Sequence, residues 1–339
     1  MRSAPRDRSL LGLKNARNGY VAYMLTPNMW EGPWVRKLLS ELPVSQYENR
    51  DLWSPPPARP RVRRLQIRLE LLLPGPLRPT RRRLRQFISP DGPSVFVYQT
   101  WGLDPMVRVE LANLLSALED VGVVSVDEPM RDSAGTYARV AFAVRVGFGA
   151  AQYRGAQNVL VAPLGVPSNF VPPESRRPIG ERNFSWAFLG EVKNESRRKM
   201  VEHLNCVGGE RFLHTTSAWE SEDALGSARY SDILANAVFA PSPPANVHVE
   251  CYRTYEALEC GAIPVVDTDY YRTEFEAPFP VVRSDWSDAP EILNRFVQDP
   301  TALHRLDEQT RRWWHDVKRT YPTKIRALAR ETPTGECPH

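Results

Sequence analysis

Residues 251–266 read Cys251-Tyr-Arg-Thr-Tyr-Glu-Ala-Leu-Glu-Cys-Gly-Ala-Ile-Pro-Val-Val266, and this stretch decides the predicted fold. A helix that ends at Gly261 and is followed at once by an apolar, β-branched run is typical of one αβ unit in a parallel sheet. Arg253 and Glu256 lie three positions apart on the predicted helix, so they share one side of it. Charges this close to a buried strand indicate a polar site at the sheet.

Strand and helix patterns alternate on the N-terminal side of this segment as well. The predicted strands are 20–25, 94–99, 121–126, 158–162, 184–189 and 237–240, and the predicted helices are 34–42, 107–118, 196–204 and 300–330. Repeated β-α-β order predicts parallel sheets with helices on both sides. The fold class is therefore α/β, with two Rossmann-like domains that face each other across a cleft.

A proline-rich, polar passage between Val166 and Asn183 lacks any periodicity and marks the domain boundary. We predict an N-terminal domain over 1–168 with an Arg-rich insertion near 55–90, and a C-terminal domain over 180–310. Residues 311–339 are predicted to form a helix that returns toward the N-terminal domain, followed by a tail.

Composition places the chain among globular proteins and indicates little about a partner. It has 339 residues, with 44 basic and 40 acidic side chains. Its four cysteines form no CxxC pair, so we expect reduced thiols. No signal peptide is recognisable. We expect a cytoplasmic or peripheral membrane protein if this is the full chain, and a Golgi lumenal one only if an N-terminal anchor is missing.

The loops at the carboxyl ends of the strands are where ligands bind in open α/β sheets. In the C-terminal half these loops carry Gly190, Arg197 and Ser242. Arginine neutralises a diphosphate through paired hydrogen bonds, and a carboxylate accepts two from a ribose diol. Arg253 and Glu256 therefore join the candidate donor-binding residues, the alternative being a local ion pair on a solvated helix.

Tyr252-Arg-Thr-Tyr-Glu256, followed by Gly261-Ala-Ile-Pro-Val-Val266, resembles the signature of exostosin-like glycosyltransferases. Phe184–Gly190 with Arg197 and Arg198 resembles their strand, glycine and arginine segment. Pieces of the N-terminal half resemble the ribitol xylosyltransferase-like branch: Asp127-Glu128, Phe142-Ala-Val-Arg145 and Pro163-Leu-Gly165.

The resemblance implies a fold of the GT-B type with an N-terminal acceptor domain and a C-terminal nucleotide-sugar domain. It also implies metal-independent transfer with inversion, and we expect a UDP-linked donor and a glycan or other hydroxyl acceptor. By this resemblance Glu256 would hold the donor ribose, and Arg253 or Arg197 the diphosphate. A noncatalytic nucleotide-sugar-binding relative is the alternative.

Inverting transfer needs a general base for the acceptor hydroxyl. Asp127 and Glu128 follow the strand 121–126 and are the first candidates, with Asp104 the second choice. Successive residues point to different sides, so at most one of the pair is expected to be the base. A helix cap after Pro129 or a pair with Arg131 is the structural alternative.

Asp267-Thr-Asp269 offers a rival reading, because two carboxylates so spaced can hold a metal against a diphosphate. We expect no required cofactor and no metal there. His248 is a further candidate for contact with the diphosphate or the acceptor, although a lone loop histidine is typical of polar surface.

Arginines are concentrated between Arg59 and Arg85, interrupted by Leu71-Leu-Leu-Pro-Gly-Pro76. We interpret this stretch as a solvated, partly flexible insertion. If it binds anything, the apolar interruption favours peripheral contact with an anionic membrane surface. We expect no nucleic acid because no stacking aromatics are interleaved. A nucleic-acid or anionic-surface protein is nevertheless the non-enzymatic alternative.

Overall fold

The computed structural model describes residues 20–25, 29, 31–49, 74, 79–87, 94–99, 105–119, 121–126, 134–147, 153, 155–218, 221–245, 249–269, 271, 279–280 and 282–331. The chain divides into two compact units. The first unit comprises residues 1–163 and 320–339, and the second unit comprises residues 164–319. Helices and strands are numbered in chain order.

The first unit contains a six-stranded sheet in which all paired strands are parallel. Its strands are β1 (Tyr20–Met24), β2 (Val44–Asn49), β3 (Ser94–Gln99), β4 (Val121–Val126), β5 (Phe142–Val146) and β6 (Val159–Ala162). Their spatial order is β2-β1-β3-β4-β5-β6. Strand β4 is buried over its whole length, as its continuous apolar run predicts.

Three described helices accompany this sheet: α1 (Gly32–Leu38), α2 (Pro79–Phe87) and α3 (Pro105–Leu115). Helix α1 begins and ends earlier than the predicted range 34–42, although Leu39 and Leu42 remain buried. Helix α2 occupies the end of the Arg-rich stretch, where we expected a solvated, partly flexible insertion. It is ordered because Leu84 is buried and Arg81 lies 3.7 Å from the buried carboxylate of Glu110.

The second unit contains a five-stranded sheet, again entirely parallel. Its strands are β7 (Phe184–Gly190), β8 (Arg211–Thr215), β9 (Ala237–Pro241), β10 (Ile263–Val266) and β11 (Val282–Arg283). Their spatial order is β11-β10-β9-β7-β8. The chain therefore runs from β7 outward to β8 and then returns to add β9 on the opposite side of β7.

The described helices of this unit are α4 (Glu195–Leu204), α5 (Ser227–Ala235), α6 (Tyr252–Cys260), α7 (Ala289–Gln298) and α8 (Pro300–Glu331). Successive residues of β7 alternate between two apolar clusters. Trp186 and Phe188 pack with residues of α4, α7 and α8. Ala187 and Leu189 pack with residues of α5 and α6. Both faces of the sheet are thus covered, as the doubly wound arrangement requires.

Helix α6 ends as the sequence predicts. Gly261 adopts a left-handed conformation with φ 80°, and the amide of Ala262 donates to Ala257 O at 2.8 Å. This 6→1 bond is the Schellman pattern of a glycine-terminated helix. It returns the chain directly into β10, so the αβ unit predicted from residues 251–266 is present.

The predicted fold class, α/β with two Rossmann-like parallel sheets, is confirmed. Helix α8 crosses the division between the units, since residues up to 319 group with the second unit and later ones with the first. Within the described residues, no helix combines the length and apolarity needed to cross a bilayer.

Candidate functional site

The second sheet has a topological switch point between β7 and β9. The chain leaves β7 in one direction to form β8 and comes back to form β9 on the other side. Loops at such a point separate, which opens a crevice at the carboxyl ends of the strands where ligands bind. Here the two strand ends are Gly190 and Pro241. Of the predicted donor-binding residues, Gly190 and Ser242 therefore lie at this point.

Gly190 allows a close approach between strand β7 and Arg253. Its φ is 143°, and a Cβ atom placed on it would lie 2.6 Å from Arg253 Nη2. Arg253 Nη2 donates to Leu189 O at 3.1 Å, and its Cζ lies 4.5 Å from the centroid of the buried Phe188 ring. The guanidinium of α6 is thus held directly against the end of β7.

Arg197 joins the loops that follow β7 and β9. It lies in the first turn of α4, where its amide donates to the Asn194 side chain at 2.9 Å. Its guanidinium donates to Glu191 O at 3.0 Å and to Pro244 O at 3.3 Å. A single side chain therefore spans the crevice at the switch point.

The two guanidinium groups are buried, and their hydrogen bonds to described residues go to backbone carbonyls. Arg197 is 6% exposed and Arg253 is 9% exposed, and Nε of each has no hydrogen-bond partner. Neither forms an ion pair with any residue in the described part of the chain. Burial and then the nearby Arg253 charge lower the pKa of Arg197. Since unpaired buried charge is costly, the arrangement favours an anionic ligand that faces both groups.

Glu256 lies one turn after Arg253 on α6 and is 8% exposed. Tyr230 Oη on α5 donates to Glu256 Oε2 at 2.6 Å. Burial raises the pKa of the Glu256 carboxyl, while the Tyr230 hydrogen bond and the Arg253 charge act in the opposite direction. Arg253 and Glu256 form no direct ion pair, so the solvated-pair alternative does not describe them.

Ser242 lies directly after β9 and is buried. Its amide donates to Val265 O at 2.7 Å, and its hydroxyl donates to Ala240 O at 3.1 Å. Both contacts are to backbone of the sheet itself. Its position at the switch point agrees with the predicted place, and its contact with a donor stays a prediction.

The candidate base residues and the loop histidine lie outside the described residues. These are Asp104, Asp127, Glu128 and His248. Strand β4, which leads to Asp127, is present over Val121–Val126. Their catalytic and binding roles stay predictions.

Asp267 and Asp269 have different partners. Asp267 Oδ2 accepts hydrogen bonds from Ser196 Oγ at 2.5 Å and from Trp286 Nε1 at 2.8 Å. Asp269 forms an ion pair with Arg283 at 2.7 Å on the surface. Among the described residues, no group of three or more acidic, histidine or cysteine side chains could hold a metal ion.

Two further polar side chains at this site were missed from the sequence. Tyr230 lies 26 residues before its partner Glu256, and nothing in its local pattern indicates the contact. Glu250 is buried, accepts from the Leu164 amide at 2.8 Å and is bonded by the Tyr255 hydroxyl. The position of an acidic residue directly before the predicted helix is the signal that could have singled out Glu250.

Comparisons with known proteins address the same part of the chain. Residues 169–327 match the family model described as the RXYLT1 C-terminal domain. Ribitol-5-phosphate xylosyltransferase 1 of Danio rerio is 29% identical over 133 residues, which cover 34% of this chain and 30% of the relative. The Homo sapiens protein of the same name is 32% identical over 113 residues, covering 31% of this chain and 25% of its own length.

Among solved structures, AviGT4, a glycosyltransferase involved in avilamycin A biosynthesis, aligns with 66% of this chain and 77% of its own. The TM-score is 0.43 and the sequence identity is 16%. The family match includes the helix of Arg253 and Glu256 within its range. Residues 169–327 thus carry the RXYLT1-like pattern of an exostosin-like glycosyltransferase, and the resemblance expected from this helix is confirmed.

Proposed function

We propose that this protein is an inverting glycosyltransferase that moves a sugar from a UDP-linked donor to a hydroxyl group of a glycan or another acceptor. The observation that carries the proposal is the pair of buried guanidinium groups, Arg197 and Arg253, at the switch point of the second sheet. A diphosphate carries the charge and the number of acceptor oxygens that such a pair binds.

The proposed reaction is a single displacement. The acceptor oxygen bonds to the anomeric carbon of the donor sugar while the bond from that carbon to the diphosphate oxygen breaks. The electron pair leaves with the diphosphate, and the acceptor proton passes to a general base, for which we propose Asp127 or Glu128. Arg197 and Arg253 stabilise the charge that grows on the leaving diphosphate.

The remaining donor contacts follow from the same placement. Glu256 is proposed to accept hydrogen bonds from the nucleotide ribose. Gly190 lets the Arg253 guanidinium lie directly against the end of β7, where we propose that it faces the diphosphate. We propose that transfer needs no metal, since two guanidinium groups supply the positive charge that a divalent ion would otherwise provide.

The relatives indicate which substrates to test first. Their name describes xylosyl transfer to ribitol 5-phosphate. We therefore propose UDP-xylose as the first donor and a ribitol phosphate glycan as the first acceptor. The alignments with these relatives cover only about a third of this chain, so other UDP-sugars belong in the same panel.

Calorimetric titration of the full chain with UDP and UDP-xylose tests donor binding. Replacing Arg197 or Arg253 by alanine should weaken binding by about tenfold or more, because each change removes a charge-assisted contact. Arg198→Ala is the matched control. Arg198 neighbours Arg197, but its side chain is 58% exposed in a surface pair with Glu195, a type of pair of little energetic worth. Equal affinity in all three variants would contradict the proposal, and titration with a chelator tests the metal independence.

Single-turnover assays with Asp127→Asn and Glu128→Gln test the base. We expect one of the two changes to abolish transfer while UDP affinity is retained, because proton removal does not contribute to donor binding. Transfer that survives both changes would exclude this pair. Donor binding without transfer to any acceptor would instead support the noncatalytic relative.

A further inference from the structure

Helix α5 holds the ring of Tyr230 against the helix that carries the donor site. The residues Ile233, Leu234 and Ala235 of α5 pack with Ala257 and Cys260 of α6 in one apolar cluster, and the Tyr230 ring contacts this cluster. The ring is therefore fixed by packing, so the direction of its hydroxyl is set before any ligand arrives.

The hydroxyl of Tyr230 donates a hydrogen bond to one of the two carboxylate oxygens of Glu256. It donates to Oε2 at 2.6 Å, the short distance expected of a hydrogen bond to an ionised acceptor. Oε1 accepts no hydrogen bond from a described residue, and it is not among the fully buried atoms that lack a partner. One oxygen is thus held by the protein while the other remains available.

Several neighbouring groups act on the ionisation of the Glu256 carboxyl together with the Tyr230 hydrogen bond. Arg253 precedes it by one turn, Tyr230 faces it from α5, and the Cys260 thiol follows one turn later on α6. Burial disfavours the charged carboxylate, and the Tyr230 bond favours it. Only the ionised form presents both oxygens purely as acceptors, so that Oε2 can accept from Tyr230 while Oε1 accepts from a ribose hydroxyl.

We propose that Tyr230 is a positioning residue for donor selection: by fixing Oε2 of Glu256 it directs Oε1 toward a hydroxyl of the nucleotide ribose. This inference rests on the proposed function, and it assigns to Tyr230 the preference for a ribonucleotide over a deoxyribonucleotide. The tyrosine does not touch the reacting atoms and acts only through Glu256.

Tyr230→Phe removes the hydroxyl and keeps the packed ring. We expect UDP affinity to fall about tenfold, as for loss of a hydrogen bond to a charged group, and the preference for UDP over 2′-deoxy-UDP to fall with it. Tyr47→Phe is the control, because it removes a tyrosine hydroxyl that is 39% exposed on the first unit. A structural role for the ring would leave the UDP to 2′-deoxy-UDP ratio unchanged.

The pH profile of that ratio is the second readout, and using the ratio cancels the titration of the phosphates. Without the Tyr230 bond the pKa of Glu256 rises further, so the preference for UDP should be lost at a higher pH than in the parent protein. Glu256→Gln should show little preference at any pH. If Tyr230→Phe does not fold, 3-fluorotyrosine at position 230 gives the opposite test, because its stronger donor should move the loss to lower pH.

The outcomes of these experiments distinguish failure of the role assigned to Tyr230 from failure of the proposed function. An unchanged ratio and pH profile in the Tyr230 variants, with UDP still bound through Arg197 and Arg253, would overturn the role of Tyr230 alone. Failure of the parent protein to bind UDP or any other nucleoside diphosphate would overturn the proposed function, and this inference with it. A lower ratio and a displaced profile would support the assignment.

Discussion

Gly190 and Arg253 leave no room for a side chain between them. We expect Gly190→Ala to reduce the free energy of unfolding by about 1–3 kcal/mol, because φ is 143° and the new methyl group would displace Arg253. Guanidinium chloride unfolding measures this loss of stability. We also expect weaker UDP binding, because the displaced guanidinium should bind the diphosphate less well, and titration with UDP measures it.

Gly180→Ala provides the control for that experiment. A Cβ atom there would meet only His304 Nε2 at 3.9 Å, an ordinary contact, and its φ is not in the left-handed region. We expect its stability and UDP affinity to match the parent protein. Equal losses in both alanine variants would show that the space beside Arg253 has no special role.

Asp307 on α8 gives a pH dependence of stability. Burial raises the pKa of its carboxyl above the usual value, although Arg311 and Arg182 act in the opposite direction. Between the unfolded and the folded pKa the native state binds more protons, so stability falls as pH rises through this window. The parent protein should therefore lose stability relative to Asp307→Asn as pH rises from about 4.

Denaturant titrations of both proteins across that pH range measure the difference directly, and the carboxyl groups common to both cancel. A parent protein that gains stability over Asp307→Asn with rising pH would contradict the assignment.

Local residue patterns predict part of the candidate site and not the rest. Arg253, Glu256 and Gly261 follow from helical spacing and a glycine cap within one segment. The bonds of Arg197 to Pro244 and of Tyr230 to Glu256 join residues 47 and 26 positions apart. No local pattern specifies them, because they depend on which strand is placed beside which.

At the scale of the element, the first turn of α4 positions Arg197. Asn194 caps this helix by accepting from the Arg197 amide at 2.9 Å. We expect Asn194→Ala to cost about 1 kcal/mol of stability, the usual effect of losing an N-cap. It should also weaken UDP binding, since fraying of this turn releases the guanidinium from the Glu191 and Pro244 carbonyls.

Asn205→Ala at the other end of α4 is the control for the cap. Only its backbone amide caps the helix, and the residue is exposed. Thermal unfolding with and without UDP separates the two effects. If both variants lose stability equally and bind UDP equally, the cap does not position Arg197.

Elements with long apolar runs were predictable, whereas polar edge elements were not. Strands β3, β4 and β9 agree closely with the predicted ranges because they are buried on both faces. Strand β8 alternates between exposed and half-buried residues at the edge of the sheet, and helix α5 begins at an unremarkable glycine cap. Their assignment depends on tertiary contacts that the local sequence does not contain.

At the scale of the whole molecule, donor binding should act on the second unit. All described residues of the candidate site lie between Gly190 and Glu256, within residues 164–319. A ligand that binds only the native state adds about 2.7 kcal/mol of stability at a hundredfold excess over Kd. Hydrogen exchange should therefore slow on UDP addition in peptides from β7, α4, β9 and α6.

The same exchange experiment with Arg197→Ala should show no such slowing at an equal concentration of UDP. Slowing confined to peptides of residues 20–147, in either protein, would place the nucleotide in the first unit. That result would be incompatible with a donor site in the second unit.

Two like charges buried together also have a consequence for handling the protein in solution. Because the charges of Arg197 and Arg253 repel each other, we expect the crevice to attract small oxyanions such as phosphate, sulfate and pyrophosphate. We expect such ions in a phosphate buffer to compete with the proposed donor, so that its apparent affinity is lower than in a zwitterionic buffer at the same ionic strength. Inorganic pyrophosphate, which has the shape of the donor's charged portion and neither base nor sugar, should be the strongest of these competitors.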